Sequence, residues 1–202
     1  MEMLKDYLDP AWIEIFEIEG FAERMAPIRQ TVRLALQRLA GRLAELMTDR
    51  DVPVFPHVAS HMRRRVNPPN ETWLALGPAK RGYKAWAHMG VFIGKGGCSV
   101  RFVVKDEAEG PKKSLGQWLR SDPRARKWFK SHPEVLDYDL VHGTGMVGPS
   151  LTRSPQEIGE RLLDLKTAGG DWGWILPFET PVADLVERLE SLVPFYRAAN
   201  GS

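Results

Sequence analysis

The sequence predicts an α+β fold: a mainly antiparallel sheet with helices packed largely on one face, forming a single domain over residues 1–202. Three observations carry this. Apolar residues recur at three and four from Ile28 to Leu46, the signature of an amphipathic helix. From Thr72 to Val104 they alternate instead, with Gly94-Lys95-Gly96-Gly97 as a tight hairpin between two strands. The resulting order, α-α-β-β-β-α-α-β-α-β-α, puts hairpins in the first half and does not give the regular β-α-β succession of a doubly wound parallel sheet.

The elements follow from local chemistry. Asp9-Pro10 reads as a helix cap and first helical residue, opening a short helix through Trp12 and Phe16 that ends near Gly20. Proline costs about 3 kcal/mol inside a helix, so the long helix is expected to begin at Pro27, with Phe21–Met25 as a separate turn or kinked leader. Pro53 and Pro56 interrupt regular structure ahead of a single helical turn carrying His57 and His61. Thr72–Leu76 is a strand. Trp86–Ile93 is a second, with Ala87, Met89, Val91 and Ile93 on one face and Trp86, His88 and Phe92 on the other. In a third, Cys98, Val100, Phe102 and Val104 alternate with Ser99, Arg101 and Val103. Asp122-Pro123 separates two helices, the second ending at His132-Pro133. Leu136, Tyr138 and Leu140 alternate as a strand, and residues 143–149 read as a glycine-rich loop. Ser154-Pro155-Gln156-Glu157 is a capping box. Trp172, Trp174, Leu176 and Phe178 share one face of the next strand, and Thr180-Pro181 caps a last helix that Pro194 disturbs.

Composition narrows the function classes. With 43% hydrophobic and 27% charged residues, the chain has the make-up of an ordinary soluble globular protein. It contains no apolar run near the roughly 20 residues needed to cross a bilayer, and its N-terminus lacks the pattern of a secretory signal. The expectation is a cytoplasmic protein with no membrane partner. A single cysteine, Cys98, excludes an internal disulfide and a zinc site built on several thiolates; on an apolar strand it reads as a buried, inert thiol.

One stretch stands apart. FPHVASHMRRRVNPPNETWLALGPAKRGYKAWAH, residues 55–88, holds three of the five histidines, six Lys or Arg and a single acid, Glu71. It is therefore +5, against −3 for the rest of a chain whose total is +2. Charge concentrated in this way raises a local potential that favours an anionic ligand; the alternative is a solvated face paired with acids of neighbouring helices. Arg63, Arg64, Arg65, Arg81 and Lys84 are the candidate anion contacts, since guanidinium forks bind phosphate or carboxylate bidentately. Asn67 and Asn70 can read a polar ligand, and Trp73, Tyr83 or Trp86 can stack on a ring. If the first two strands pair, Trp73 and His88 lie on one sheet face opposite the helices, forming an aromatic and basic cleft. The competing reading makes NPPN a simple turn and the tryptophans core.

His57, His61 and His88 are the candidate catalytic acids or bases, because imidazole titrates near working pH. His57 and His61 are spaced as half a metal site, but the glutamate of HExxH is absent and no metal is predicted. Gly94–Gly97 is too short for a phosphate-binding loop, no nucleophile elbow is present, and no cofactor is predicted. The leading expectation is a binding module for an anionic small molecule or nucleic acid; the alternative is an enzyme acting on a small phosphorylated or carboxylated metabolite.

The run FPHVASHMRRRVNPPNETW, followed by KRGYK and a histidine before the next strand, resembles the YktB-like family of uncharacterised bacterial proteins over nearly the full chain. The resemblance implies a compact α+β fold and an intracellular bacterial protein, and it transfers no catalytic residue.

Overall fold

A computed structural model describes residues 1–62, 66–138 and 153–201. Its six strands are β1 (Phe55–Val58), β2 (Glu71–Gly77), β3 (His88–Gly94), β4 (Gly97–Val104), β5 (Leu136–Asp137) and β6 (Gly170–Leu176). They form one antiparallel sheet in the order β1-β2-β3-β4-β6-β5. The helices are α1 (Phe21–Pro27), α2 (Arg33–Thr48), α3 (Glu109–Ser121), α4 (Pro123–Ser131), α5 (Pro155–Asp164) and α6 (Val182–Asn200). The expected α+β fold is the observed one. None of these helices is long and apolar enough to cross a membrane.

Pleating assigns the sheet faces. Leu74, Leu76, Met89, Val91, Ile93, Val100, Phe102, Trp172 and Trp174 point to one side and join α2, α3 and α6 in the core. Phe195 of α6 is fully buried at its centre, its ring 4.6–5.7 Å from those of Phe102, Trp118, Trp128, Phe129 and Trp172. Helices α3 and α5 cross on two glycines: a Cβ on Gly159 would stand 2.7 Å from the Gly116 carbonyl oxygen. Lys112, buried on α3, donates from Nζ to the Leu165 and Lys166 carbonyls at 2.7 and 2.9 Å, satisfying acceptors left over where α5 ends. Cys98 is buried in this core as expected, and burial pushes its thiol up to about 12.

Local capping follows the sequence. Asp9 accepts from the Ala11 amide at 2.9 Å at the head of a 3-10 helix over Pro10–Glu17. Ser154 and Glu157 form the reciprocal box. Gly97, at φ +90°, closes the two-residue hairpin between β3 and β4.

Four expectations are corrected. Phe55–Val58 is an edge strand and not a helical turn: Phe55 precedes a proline, which disfavours the α region, and Pro56 falls where its missing N–H faces away from β2. Pro27 ends α1 without starting the next helix; a π-helical turn over Ile28–Val32 absorbs its missing donor and leads into α2. Pro194 does not break α6, since Leu189, Leu192, Val193, Phe195 and Tyr196 around it are buried and their packing outweighs the local cost. No side chain caps α6 at Thr180-Pro181; the Val182 amide donates to the Glu2 carbonyl, so the chain's first residues supply that acceptor. Arg63, Arg64, Arg65, Leu140 and the 143–149 loop lie outside the described residues.

Candidate functional site

The sheet face opposite the core gathers the histidines and aromatics of the 55–88 stretch. Trp73 on β2 stands across from Phe92 on β3, the rings 5.7 Å apart and stacked. His88 has the same parity as Phe92, so Trp73 and His88 share this face as the alternation requires. Tyr83, on a 3-10 turn over Tyr83–Ala85, accepts the Trp73 indole N–H at 3.2 Å. It stacks on His57 at 5.0 Å and meets the edge of His88 at 5.1 Å. His61 meets the edge of Trp73 at 5.4 Å. One chain of rings thus links the three imidazoles.

Each imidazole is nevertheless committed. The Nε2–H of His57 donates to the Ala79 carbonyl at 2.9 Å. Nε2 of His61 pairs with the Thr72 hydroxyl at 3.0 Å, across a left-handed backbone at φ +51°. His88 donates from Nδ1 to the Trp86 carbonyl at 3.2 Å and is fully buried; burial lowers its pKa to about 3 and keeps it neutral. Its Nε2 lone pair has no hydrogen-bond partner among the described residues.

The cations divide into two groups. Lys80, Arg81 and Lys84 stand exposed on the turn that carries Tyr83, with the Lys80 ammonium 5.9 Å over the Phe55 ring and Gly82 in the left-handed region at φ +67°. Lys80 and Arg81 take part in no ion pair among the described residues. Arg101 is the opposite case. It lies buried on β4, its guanidinium 4.4 Å from the Phe92 ring and 3.8 Å from that of Tyr138. Its N–H groups reach Glu71 at 2.9 and 3.4 Å and Ser99 at 2.8 Å, and Asp171 lies 3.6 Å away. Lys105 covers the Trp73 ring at 5.5 Å.

Asn70 lies in a segment held by the fold. Buried Arg24 donates to Asn70 Oδ1 at 3.3 Å, to the Pro69 carbonyl at 3.2 Å and to the Ile18 carbonyl at 2.7 Å, tying the proline pair to the N-terminal helices. Asn67 is exposed. Among the described residues no group of three His, Cys, Asp or Glu is placed to hold a metal ion. A cleft of about 400 Å³ lies away from the basic turn, between β6 and the start of α6; there Glu134 already accepts from both Trp174 and Arg188, at 3.0 and 2.9 Å.

A family described as "Domain of unknown function (DUF1054)" matches residues 10–191, nearly the whole chain. The chain belongs to the DUF1054 family. Its relatives carry the name UPF0637. That of Enterococcus faecalis is 28% identical over 193 residues, covering 91% of this chain and 93% of its own length. That of Bacillus cytotoxicus is 40% identical over 164 residues, with 76% and 74% covered. A Bacillus mycoides relative reaches 43% over 76 residues, 37% of this chain and 36% of its own. The resemblance to uncharacterised bacterial proteins is thereby borne out.

In this DUF1054 chain the sequence reading passed over Arg101, Glu71, Asp171 and Tyr138 as a group. The signal was present in part: a lone arginine at the centre of an apolar strand needs a buried acid, and Asp171 occurs at the start of the strand that carries Trp172 and Trp174.

Proposed function

We propose that this protein binds an anionic, phosphate-bearing ligand at the rim of the sheet face opposite the core, with Lys80, Arg81 and Lys84 as its charge contacts. Arg63, Arg64 and Arg65 belong to the same basic stretch of sequence, Trp73 and Tyr83 stand beside the turn, and Asn67 and Asn70 precede β2 at its other end. The observation that carries this is the exposure of three cations on one short turn beside half-buried His57 and Tyr83. Of the three, Lys80 and Arg81 offer their charge without first breaking an ion pair among the described residues. Histidine acid–base chemistry has less support, because each ring has one nitrogen engaged and His88 is buried and neutral.

The phosphate could belong to a small metabolite or to a nucleic-acid backbone, and titrations with pyrophosphate and with a labelled single-stranded oligonucleotide separate the two. For nucleic acid, log K should fall by about 0.7 per log unit of salt for each phosphate neutralised on a single strand. Arg81→Ala and Lys84→Ala should each flatten that slope by about one contact. Arg81→Ala should leave stability within about 0.5 kcal/mol, as exposed substitutions do. Binding of pyrophosphate with no oligonucleotide binding assigns a small ligand. Binding of neither at low salt removes the reading.

A further inference from the structure

The sheet face opposite the core holds a second chemical group, independent of the basic turn. Glu71 from β2 and Asp171 from β6 converge on the single guanidinium of Arg101, whose side chain is 7% exposed. The contacts are unequal. Glu71 is bound by both Nη atoms, at 2.9 and 3.4 Å, while Asp171 lies 3.6 Å from Nη1 alone. Oδ1 of Asp171 is buried with no hydrogen-bond partner among the described residues, and so is the hydroxyl of Tyr138. One buried cation therefore serves two carboxylates, and the one it serves less well has an oxygen that meets no donor. With both acids ionised, the trio carries a net negative charge largely shielded from water, Glu71 alone being half-buried.

We propose that this trio is a one-proton site, with Asp171 holding the proton, and that loss of the proton loosens the grip of β6 and Arg101 on Tyr138 at the end of β5. The surroundings support it. Burial pushes the Asp171 carboxyl up to about 7, against the opposing pull of Arg101. Glu71 and Asp137 raise it further, and Lys105 acts with Arg101. His88 shares the cross-strand row with Asp171 but is separated from it by Val103 and is itself neutral. The Tyr138 amide donates to the Asp171 carbonyl at 2.7 Å and its ring lies on Arg101, so charging Asp171 acts on both attachments of Tyr138.

A carboxyl whose folded pKa exceeds its unfolded one favours the folded state when protonated. Its contribution is full below the unfolded value of about 3.9 and is lost as pH rises through the folded one. Carboxyl ¹³C NMR of the full chain should place the Asp171 midpoint at about 7. Asp171→Asn should raise the melting temperature by a few degrees at about pH 8 and much less at about pH 4, and amide exchange at Tyr138 should quicken with pH in the parent beyond its intrinsic rate but not in the variant. Glu71→Gln, which leaves Arg101 to Asp171 alone, should lower the midpoint by about one unit or more and tests the idea even if Asp171→Asn fails to fold. A midpoint near the ordinary 3.9, or a melting temperature lowered equally at both pH values by Asp171→Asn, would overturn it.

Discussion

Arg101→Met should destabilise the protein by about 3 to 5 kcal/mol at about pH 8, where Asp171 has lost its proton, because it strands buried Asp171 and half-buried Glu71 without their shared cation. Urea unfolding is the measurement. The loss should shrink as pH falls through about 7, where Asp171 takes up its proton and no longer needs Arg101. Adding Glu71→Gln and Asp171→Asn to Arg101→Met should recover much of the loss, since removing every charge of a buried pair costs far less than removing one. A loss under about 1 kcal/mol for the single substitution would mean that the cluster is hydrated and behaves as a surface pair.

Phe195→Ala should cost a similar amount, about 3 to 5 kcal/mol, for a different reason. The ring is fully buried among five aromatic rings from β4, α3, α4 and β6. Those neighbours are large and fixed by their own contacts, as Trp128 is by its hydrogen bond to the Ser191 carbonyl at 2.7 Å, so the cavity has little means to collapse. Here the loss should be nearly independent of pH, and that contrast separates an apolar cavity from an uncompensated charge.

The fold was legible where one period ruled a long segment. The three-and-four stripe gave α2, the alternation gave β2, β3 and β4, and paired cap residues gave the starts of the Pro10–Glu17 helix and α5. The reading failed where tertiary pairing outranked local preference. Phe55–Val58 carries one histidine and a proline, with no alternation to mark it; β2 alone makes it a strand. Pro194 signals a break, but burial of the surrounding α6 residues overrides it.

The candidate site was legible in part. Charge counting located the basic turn, and parity placed Trp73 and His88 on the face opposite the core. Spacing alone could not show that His57 and His61 leave the helix face proposed for them, or that Asn70 is held by Arg24, 46 residues earlier in the chain. Nor could it bring Glu71, Arg101, Asp171 and Tyr138 together. They lie on four separate segments, and only the strand order β2-β3-β4-β6-β5 makes them neighbours.

The most direct measurement of the central claim is a ¹H–¹⁵N NMR titration of the full chain with pyrophosphate at low salt. Binding at the basic rim predicts saturable shifts centred on the amides of Lys80, Arg81, Gly82, Tyr83 and Lys84, reaching the indole N–H of Trp73 through its bond to Tyr83, and fading as salt is added. Shifts centred instead on Trp174 and Arg188 in the cleft beside α6, or no saturable shift anywhere, would contradict it.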